Sequence, residues 1–269
     1  MHLRSERERR GGALTRTLKL TISYDGTRFV GWQRQAAGVS VQGLLDDALA
    51  RFEGAPVAVQ GASRTDAGVH ALGQVASVRL TAAHPPDVVG RGLNACLPPD
   101  VRVIDVQEAA ENFHARFCAR SKTYRYQLRN AATVSPFERA YVWHVPEALD
   151  VAAMRAAAHT LVGTHDFAAF RSVGSDTRGT VRTITRSEVT SQAVGGWHDT
   201  STGALVVYDV SGDGFLRHMV RAIVGTLVEV GRGQRPVASM AALLTGGSRA
   251  QAGATAPPQG LFLVRVVYD

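Results

Sequence analysis

The run Ser63-Arg-Thr-Asp-Ala-Gly-Val-His-Ala-Leu72 sets a carboxylate, Asp66, two residues after the guanidinium of Arg64 and two before Gly68. A carboxylate so placed can serve as a nucleophile or a base. Arg64 favours its ionised form, and Gly68 supplies a positive φ or lets a substrate come close to the backbone. The preceding residues 56–62 are small and β-branched and predict a strand, so Asp66 falls in the loop that leaves it. The same ten residues also suit an Asx-type turn, with Asp66 capping nearby amides and Arg64 in a surface ion pair.

A second cluster follows Ser211-Gly-Asp-Gly214. Leu216, Met219, Val220, Ile223, Val224 and Leu227 recur at helical spacing and predict a helix over 215–230. Arg217, Arg221 and Gly225 then share one i, i+4 ridge, with His218 beside them. A glycine inside a helix costs about 1 kcal/mol relative to alanine, so something must approach that ridge closely. One occupant is an anion held by the arginines and the helix N-terminal amides. The other is a neighbouring strand packed on Gly225, with the arginines extended to solvent.

Weaker candidates lie elsewhere. Trp32, with Arg34 beside it, is either a core residue or a base-stacking platform. Tyr124 and Tyr126 read first as core aromatics of a sheet face. His70, His114, His144, His165 and His218 are scattered without metal-ligand spacing and read as neutral, hydrogen-bonded structural residues. Glycine-rich nucleotide signatures are missing, which argues against ATP or NAD chemistry.

These groups need a scaffold. At 269 residues, 45% hydrophobic and 20% charged, the chain is long enough for one large or two smaller globular domains. No apolar run approaches the ~20 residues that span a bilayer, and Met1–Arg10 lacks the apolar stretch of a secretory signal, so a cytoplasmic location is expected. Cys96 and Cys118 form no CxxC pair. Net charge is +7, and 28 of the 30 cationic residues are arginine, Lys19 and Lys122 being the exceptions. Genome composition accounts for much of the arginine preference. The charge itself points to a polyanionic partner.

Periodicity and turn residues predict strands over 18–24, 56–62, 74–80 and 101–106, and helices after Ser40 and over 86–96. A second set follows: strands over 122–128, 180–189, 205–210 and 261–268, a helix after Asp150, the 215–230 helix and a short one from Pro236. The loops 172–179 and 193–203 are glycine-, serine- and threonine-rich and read as exposed. The fold class is α/β (α+β): a basic disordered tail over 1–16, an N-terminal domain over 17–112 carrying the Asp66 loop, and a C-terminal domain over 113–269, with a cleft between the two.

Several blocks, in order, resemble the TruA-type tRNA pseudouridine synthases. They are Tyr24-Asp-Gly-Thr-Arg-Phe-Val-Gly-Trp-Gln-Arg-Gln35, Arg64-Thr-Asp-Ala-Gly-Val-His-Ala71, Leu93-Asn-Ala-Cys-Leu-Pro-Pro-Asp100 and Phe113-His-Ala-Arg-Phe117 with Lys122-Thr-Tyr-Arg-Tyr126. Gly163-Thr-His-Asp-Phe167, Gly214-Phe-Leu-Arg-His-Met-Val-Arg-Ala-Ile-Val-Gly225 and Ala256-Pro-Pro-Gln-Gly-Leu261 follow. The resemblance implies conversion of uridine to pseudouridine at positions 38 to 40 of the tRNA anticodon stem-loop. It also implies two similar α/β domains with mixed or antiparallel sheets, a homodimer, and neither metal nor organic cofactor. It assigns Asp66 as the catalytic aspartate, Tyr124 as the tyrosine against the target base, Arg221 as the basic partner of the aspartate and Arg64 as an arginine beside the target nucleotide. Arg217, Trp32 and Arg34 remain possible RNA contacts. One departure stands out: Ser63 replaces the glycine that many members have before Arg-Thr-Asp.

Two other functions fit parts of the chain. A non-catalytic tRNA-binding module would use the same basic cleft and be indifferent to loss of Asp66. A glycosidic hydrolase would need a second positioned acid, for which Asp25, Asp166 and Asp213 are the available carboxylates.

Overall fold

A computed structural model describes residues 15–172, 179–193 and 203–268. Residues 1–14 of the expected tail and most of both predicted glycine-rich loops lie outside those residues, while Arg16, placed in the tail, already belongs to the first strand.

The chain builds a mixed sheet with flanking helices. Strand β1 (Arg16–Tyr24) alternates, burying Leu18, Leu20 and Ile22 completely. Helix α1 (Val41–Glu53) begins where the Ser40 side chain accepts a hydrogen bond from the Gly43 amide and ends at Gly54 in the left-handed region. The next elements are β2 (Gln60–Gly61), β3 (His70–Leu80), α2 (Pro86–Cys96) and β4 (Val101–Ala109). The second half contains β5 (Ser121–Asn130), β6 (Trp143–Val145), α3 (Val151–His159), β7 (Gly163–Asp166), β8 (Val181–Ala193), β9 (Ala204–Gly212), α4 (Met219–Gly231), α5 (Ser239–Leu244) and β10 (Leu261–Val267). Asp150 caps α3 by accepting from the Ala153 amide.

Strand order is β4-β1-β3-β10-β5-β9-β8-β7, with β2 on β3 and β6 on β5. The two α/β halves therefore share one sheet, and β10 is the strand that joins them. It runs parallel to β3 (Phe262 opposite His70) and antiparallel to β5 (Leu263 opposite Tyr124). α2 packs on β4, while α3 packs on β8 and against α4.

Two predicted elements differ. The strand expected over 56–62 shrinks to Gln60–Gly61, which pair with Ser77 and Ala76 of β3, the Ala62 amide adding a last bond to the Val75 carbonyl. The helix expected from residue 215 starts at Met219. Its apolar periodicity runs on into Phe215 and Leu216, but His218 takes φ 62, which no right-handed helix can contain. Arg217 consequently lies in the approach loop, and the ridge it was expected to share with Arg221 and Gly225 does not form.

Gly225 has a packing explanation. A Cβ built there would stand 1.7 Å from the Ala254 carbonyl oxygen, so the 252–256 segment lies directly on the helix backbone. The close neighbour is a stretch of the chain itself. Gly225→Ala should therefore destabilise the fold by about 2 kcal/mol or more, through overpacking, despite alanine's better helix propensity. Denaturant unfolding of the variant against the parent protein measures it; unchanged or raised stability would refute this packing.

Candidate active site

The Asp66 loop is held in place from several directions. The Thr65 carbonyl accepts from the Trp32 amide at 3.0 Å, and the Thr65 hydroxyl bonds Tyr24 Oη at 2.7 Å. Gln74, buried on β3, donates to the Ser63 carbonyl at 2.7 Å and accepts from the Ser63 amide at 3.3 Å. Gly68 takes φ 76 as the loop turns back toward β3. The loop's shape is thus fixed by bonds that leave the Asp66 carboxylate uncommitted.

That carboxylate points across the junction to α4. Arg221 Nη1 donates to Asp66 Oδ2 at 3.2 Å, and His218 Nε2 lies 3.4 Å from the same oxygen. No backbone amide is capped by the side chain among the described residues, so the geometry differs from an Asx-type turn. Arg221 is aimed by its surroundings: its Nε donates to the Ala256 carbonyl at 2.7 Å, and its own carbonyl accepts from the Ala256 amide at 3.1 Å. The segment that requires Gly225 is the one that orients Arg221. Asp66 retains 28% side-chain exposure and Arg221 13%, so the pair is partly reached by solvent.

Tyr124 approaches from β5. Its hydroxyl bonds Ser63 Oγ at 2.7 Å, and its ring meets Phe215 edge-on with centroids 5.0 Å apart. Burial pushes its hydroxyl up to about 12; the Ser63 bond opposes this, and the nearby Asp66 charge adds to it. The phenol is neutral at any physiological pH. Ser63, visible in the sequence only as a departure from the family pattern, is the partner that satisfies this buried hydroxyl.

His218 is the residue that sequence reasoning undervalued. It is the one non-glycine with positive φ among the described residues, a strained conformation costing about 1–2 kcal/mol and one that clusters at functional sites. Ser172 Oγ bonds its Nδ1 at 2.7 Å. Burial holds its pKa below the usual histidine value; Asp66 opposes this, while Arg221, Arg217 and Arg249 reinforce it. The available signal was its place inside Gly214-Phe-Leu-Arg-His-Met-Val-Arg221, next to the arginines.

The other candidates divide. Arg64 and Arg217 are exposed and make no side-chain hydrogen bond or ion pair among the described residues, so Arg64 does not touch Asp66. Arg34 turns inward to α1, pairing with Asp47 at 2.6 Å and Asp46 at 3.3 Å and donating to the Gly43 carbonyl. Trp32 is 2% exposed, with its indole against Gly61 and Tyr24, and has no face free for a base. The stacking platform does not exist there. Tyr126 is buried, its hydroxyl donating to the Pro257 carbonyl.

Among the described residues no second carboxylate reaches Asp66. Asp25 accepts from Thr27 and Tyr141, Asp166 from the Ala168 amide and Asp213 from the Thr183 amide. Among the described residues no group of three or more His, Cys, Asp or Glu side chains could hold a metal ion, and no helix is long and apolar enough to cross a membrane. His70 joins three segments, accepting from the Gly26 amide at Nδ1 and reaching the Ala140 and Gln259 carbonyls through Nε2.

This arrangement meets an independent comparison. A family model described as tRNA pseudouridine synthase matches residues 20–118 and 157–269. The chain belongs to the tRNA pseudouridine synthase family. A protein of Myxococcus xanthus named tRNA pseudouridine synthase A is 49% identical over 251 residues, covering 93% of this chain and 91% of its own length. Proteins of the same name from Syntrophotalea carbinolica and Geobacter sulfurreducens are 46% and 44% identical, each covering 93% of this chain and respectively 96% and 99% of their own length. The first matched stretch contains the Asp66 loop and the second contains Arg221 and His218. Tyr124 and the whole of β5 fall between the two.

Two outcomes test the geometry. Asp66→Asn removes the charge that raises the His218 pKa, leaving burial and the arginines unopposed. The imidazole should then titrate lower still, as followed by proton NMR; an unchanged or higher midpoint would contradict the contact. Ser63→Ala strands the buried Tyr124 hydroxyl and should cost about 1–3 kcal/mol of stability. Urea unfolding reads that loss, which should largely vanish when Tyr124→Phe is combined with it.

Proposed function

We propose that the chain isomerises uridine to pseudouridine at positions 38 to 40 of the tRNA anticodon stem-loop, with Asp66 as the catalytic residue. The observation that carries this reading is the Asp66 carboxylate, free of backbone bonds and paired with Arg221 beside the Tyr124 ring. The reaction breaks the N1–C1′ bond, turns the uracil and joins C5 to C1′. It is a rearrangement that leaves the oxidation level and the atom count unchanged.

Asp66 can act in either of two ways, as a nucleophile toward the nucleotide or as the base for a proton next to C1′. A single carboxylate suffices for both. Hydrolysis of a glycosidic bond ordinarily uses a pair, and Asp25, Asp166 and Asp213 are each engaged elsewhere.

The target base must first leave its stack, at a cost of a few kcal/mol. Arg64 and Arg217 lie exposed and uncommitted near the loop and the helix start, suited to phosphate contacts that offset this cost. Tyr124 supplies the aromatic surface for the turned base. In this proposal the units over 17–112 and 113–269 each contribute one wall of the cleft. The resemblance supports a homodimer, and a tRNA substrate supports a cytoplasmic location.

Incubation with unmodified tRNA transcript, followed by carbodiimide–primer-extension mapping, tests the reading. Wild-type protein should mark the anticodon arm and release no free uracil. Asp66→Asn should yield no product while holding tRNA within a few fold of the wild-type affinity; substantial residual turnover would falsify the assignment. Tyr124→Phe keeps the ring and should lose no more than about tenfold in rate, the scale of one hydrogen bond.

A further inference from the structure

Lys122 stands out among groups that the reaction above does not use. It is one of two lysines in a chain whose other 28 cations are arginine. It lies on β5 two residues before Tyr124, and β5 pairs regularly with β9 through this stretch, so both side chains project from the same sheet face. It is partly buried, yet it makes no hydrogen bond and no ion pair among the described residues.

Its charged neighbours are cations. Burial, the larger effect, and then Arg116 and Arg182 lower its ammonium to about 8. Those two arginines are the charged groups that face it, from the turn before β5 and from β8. The flanking strands place Gly212 of β9 and Val266 of β10 opposite it. Arg182 also packs beside Gly214, where a Cβ would stand 3.3 Å from its Nε, next to the Phe215 that meets Tyr124. Arg116 sits 5.6 Å from the ring centroid of Phe117, which is 75% exposed and tilted by 37° against His114.

None of the three cations is paired with a carboxylate among the described residues, nearby Asp213 accepting from the Thr183 amide instead, so they repel one another unless an anion joins them. We propose that Lys122, Arg116 and Arg182 form a phosphodiester subsite that takes the RNA backbone next to the target nucleotide, with Phe117 offering a stacking face at its rim. The subsite rests on the tRNA reading above and extends it. Arginine serves phosphate well but stays charged at any accessible pH. A lysine in this setting makes the contact titratable, since a bound phosphate must restore the proton that burial and the neighbouring arginines disfavour.

Equilibrium binding of unmodified tRNA transcript to the full chain, across pH and salt, is the test. Wild-type affinity should weaken several-fold between about pH 7.5 and about pH 9, as the free lysine loses its proton. Lys122→Arg should bind well with little pH dependence over that range. Lys122→Gln should bind more weakly near neutral pH, and its log K against log salt slope should be shallower by roughly 0.7–0.9, one phosphate contact. Wild-type slope and pH dependence retained in Lys122→Gln would overturn the subsite, as would wild-type pH dependence in a well-folded Lys122→Arg. Pseudouridine mapping on the same wild-type samples separates the two ideas. Product with unaltered Lys122 variants sinks the subsite alone, whereas no wild-type product sinks the enzymatic reading.

Discussion

The contact on which this structure turns is the ion pair between Asp66 and Arg221. Its partners are 155 residues apart in the chain and come from opposite halves of the sheet. Neither reaches the other by its own element alone. Asp66 is projected by a loop clamped through Gln74, Tyr24 and the Trp32 backbone. Arg221 is turned toward it by the Ala256 carbonyl, and the 252–256 segment can lie there because residue 225 has no side chain. A substitution buried under the helix can therefore shift the Asp66–Arg221 pair without touching either residue.

Electrostatics around that pair are lopsided. One carboxylate faces Arg221 directly, with Arg217 and Arg249 close enough to influence the adjoining His218. Arg249 is committed to the Gly253 carbonyl and the Thr255 hydroxyl, so it shapes the segment that shapes Arg221. Arg64 and Arg217 have no such commitment. The surroundings of Asp66 thus contain structural arginines, whose hydrogen bonds are spent on the fold, and, among the described residues, uncommitted ones. Burial and the arginines lower the His218 pKa, and the Asp66 charge opposes them.

Much of this was legible in the sequence, for reasons particular to each element. Ser40 and Gly54 bracket α1 because capping chemistry is local, and β1 and β5 show their faces because one side of each meets the core. Asp66 could be singled out from its neighbours. What failed were inferences about partners distant in the chain. Arg34 looked free because Asp46 and Asp47 reach it only after α1 has folded back. Trp32 looked available because nothing in its neighbourhood announces Gly61. The start of α4 was misjudged because Phe215 and Leu216 are apolar for another purpose, packing beside Tyr124 and in the core. The bond between Ser63 and Tyr124 spans 61 residues and becomes visible only once β10 has brought β3 and β5 to either side of itself.

That placement of β10 has a consequence for biogenesis. The last strand in chain order is a central one in the sheet, between elements formed much earlier. During synthesis the facing edges of β3 and β5 remain unsatisfied until residues 261–267 leave the ribosomal tunnel. The two halves can each acquire local structure beforehand, but they cannot register against one another. Juxtaposition of Asp66 with Arg221 accordingly waits for β10, and a nascent chain stalled short of β10 would display two open strand edges.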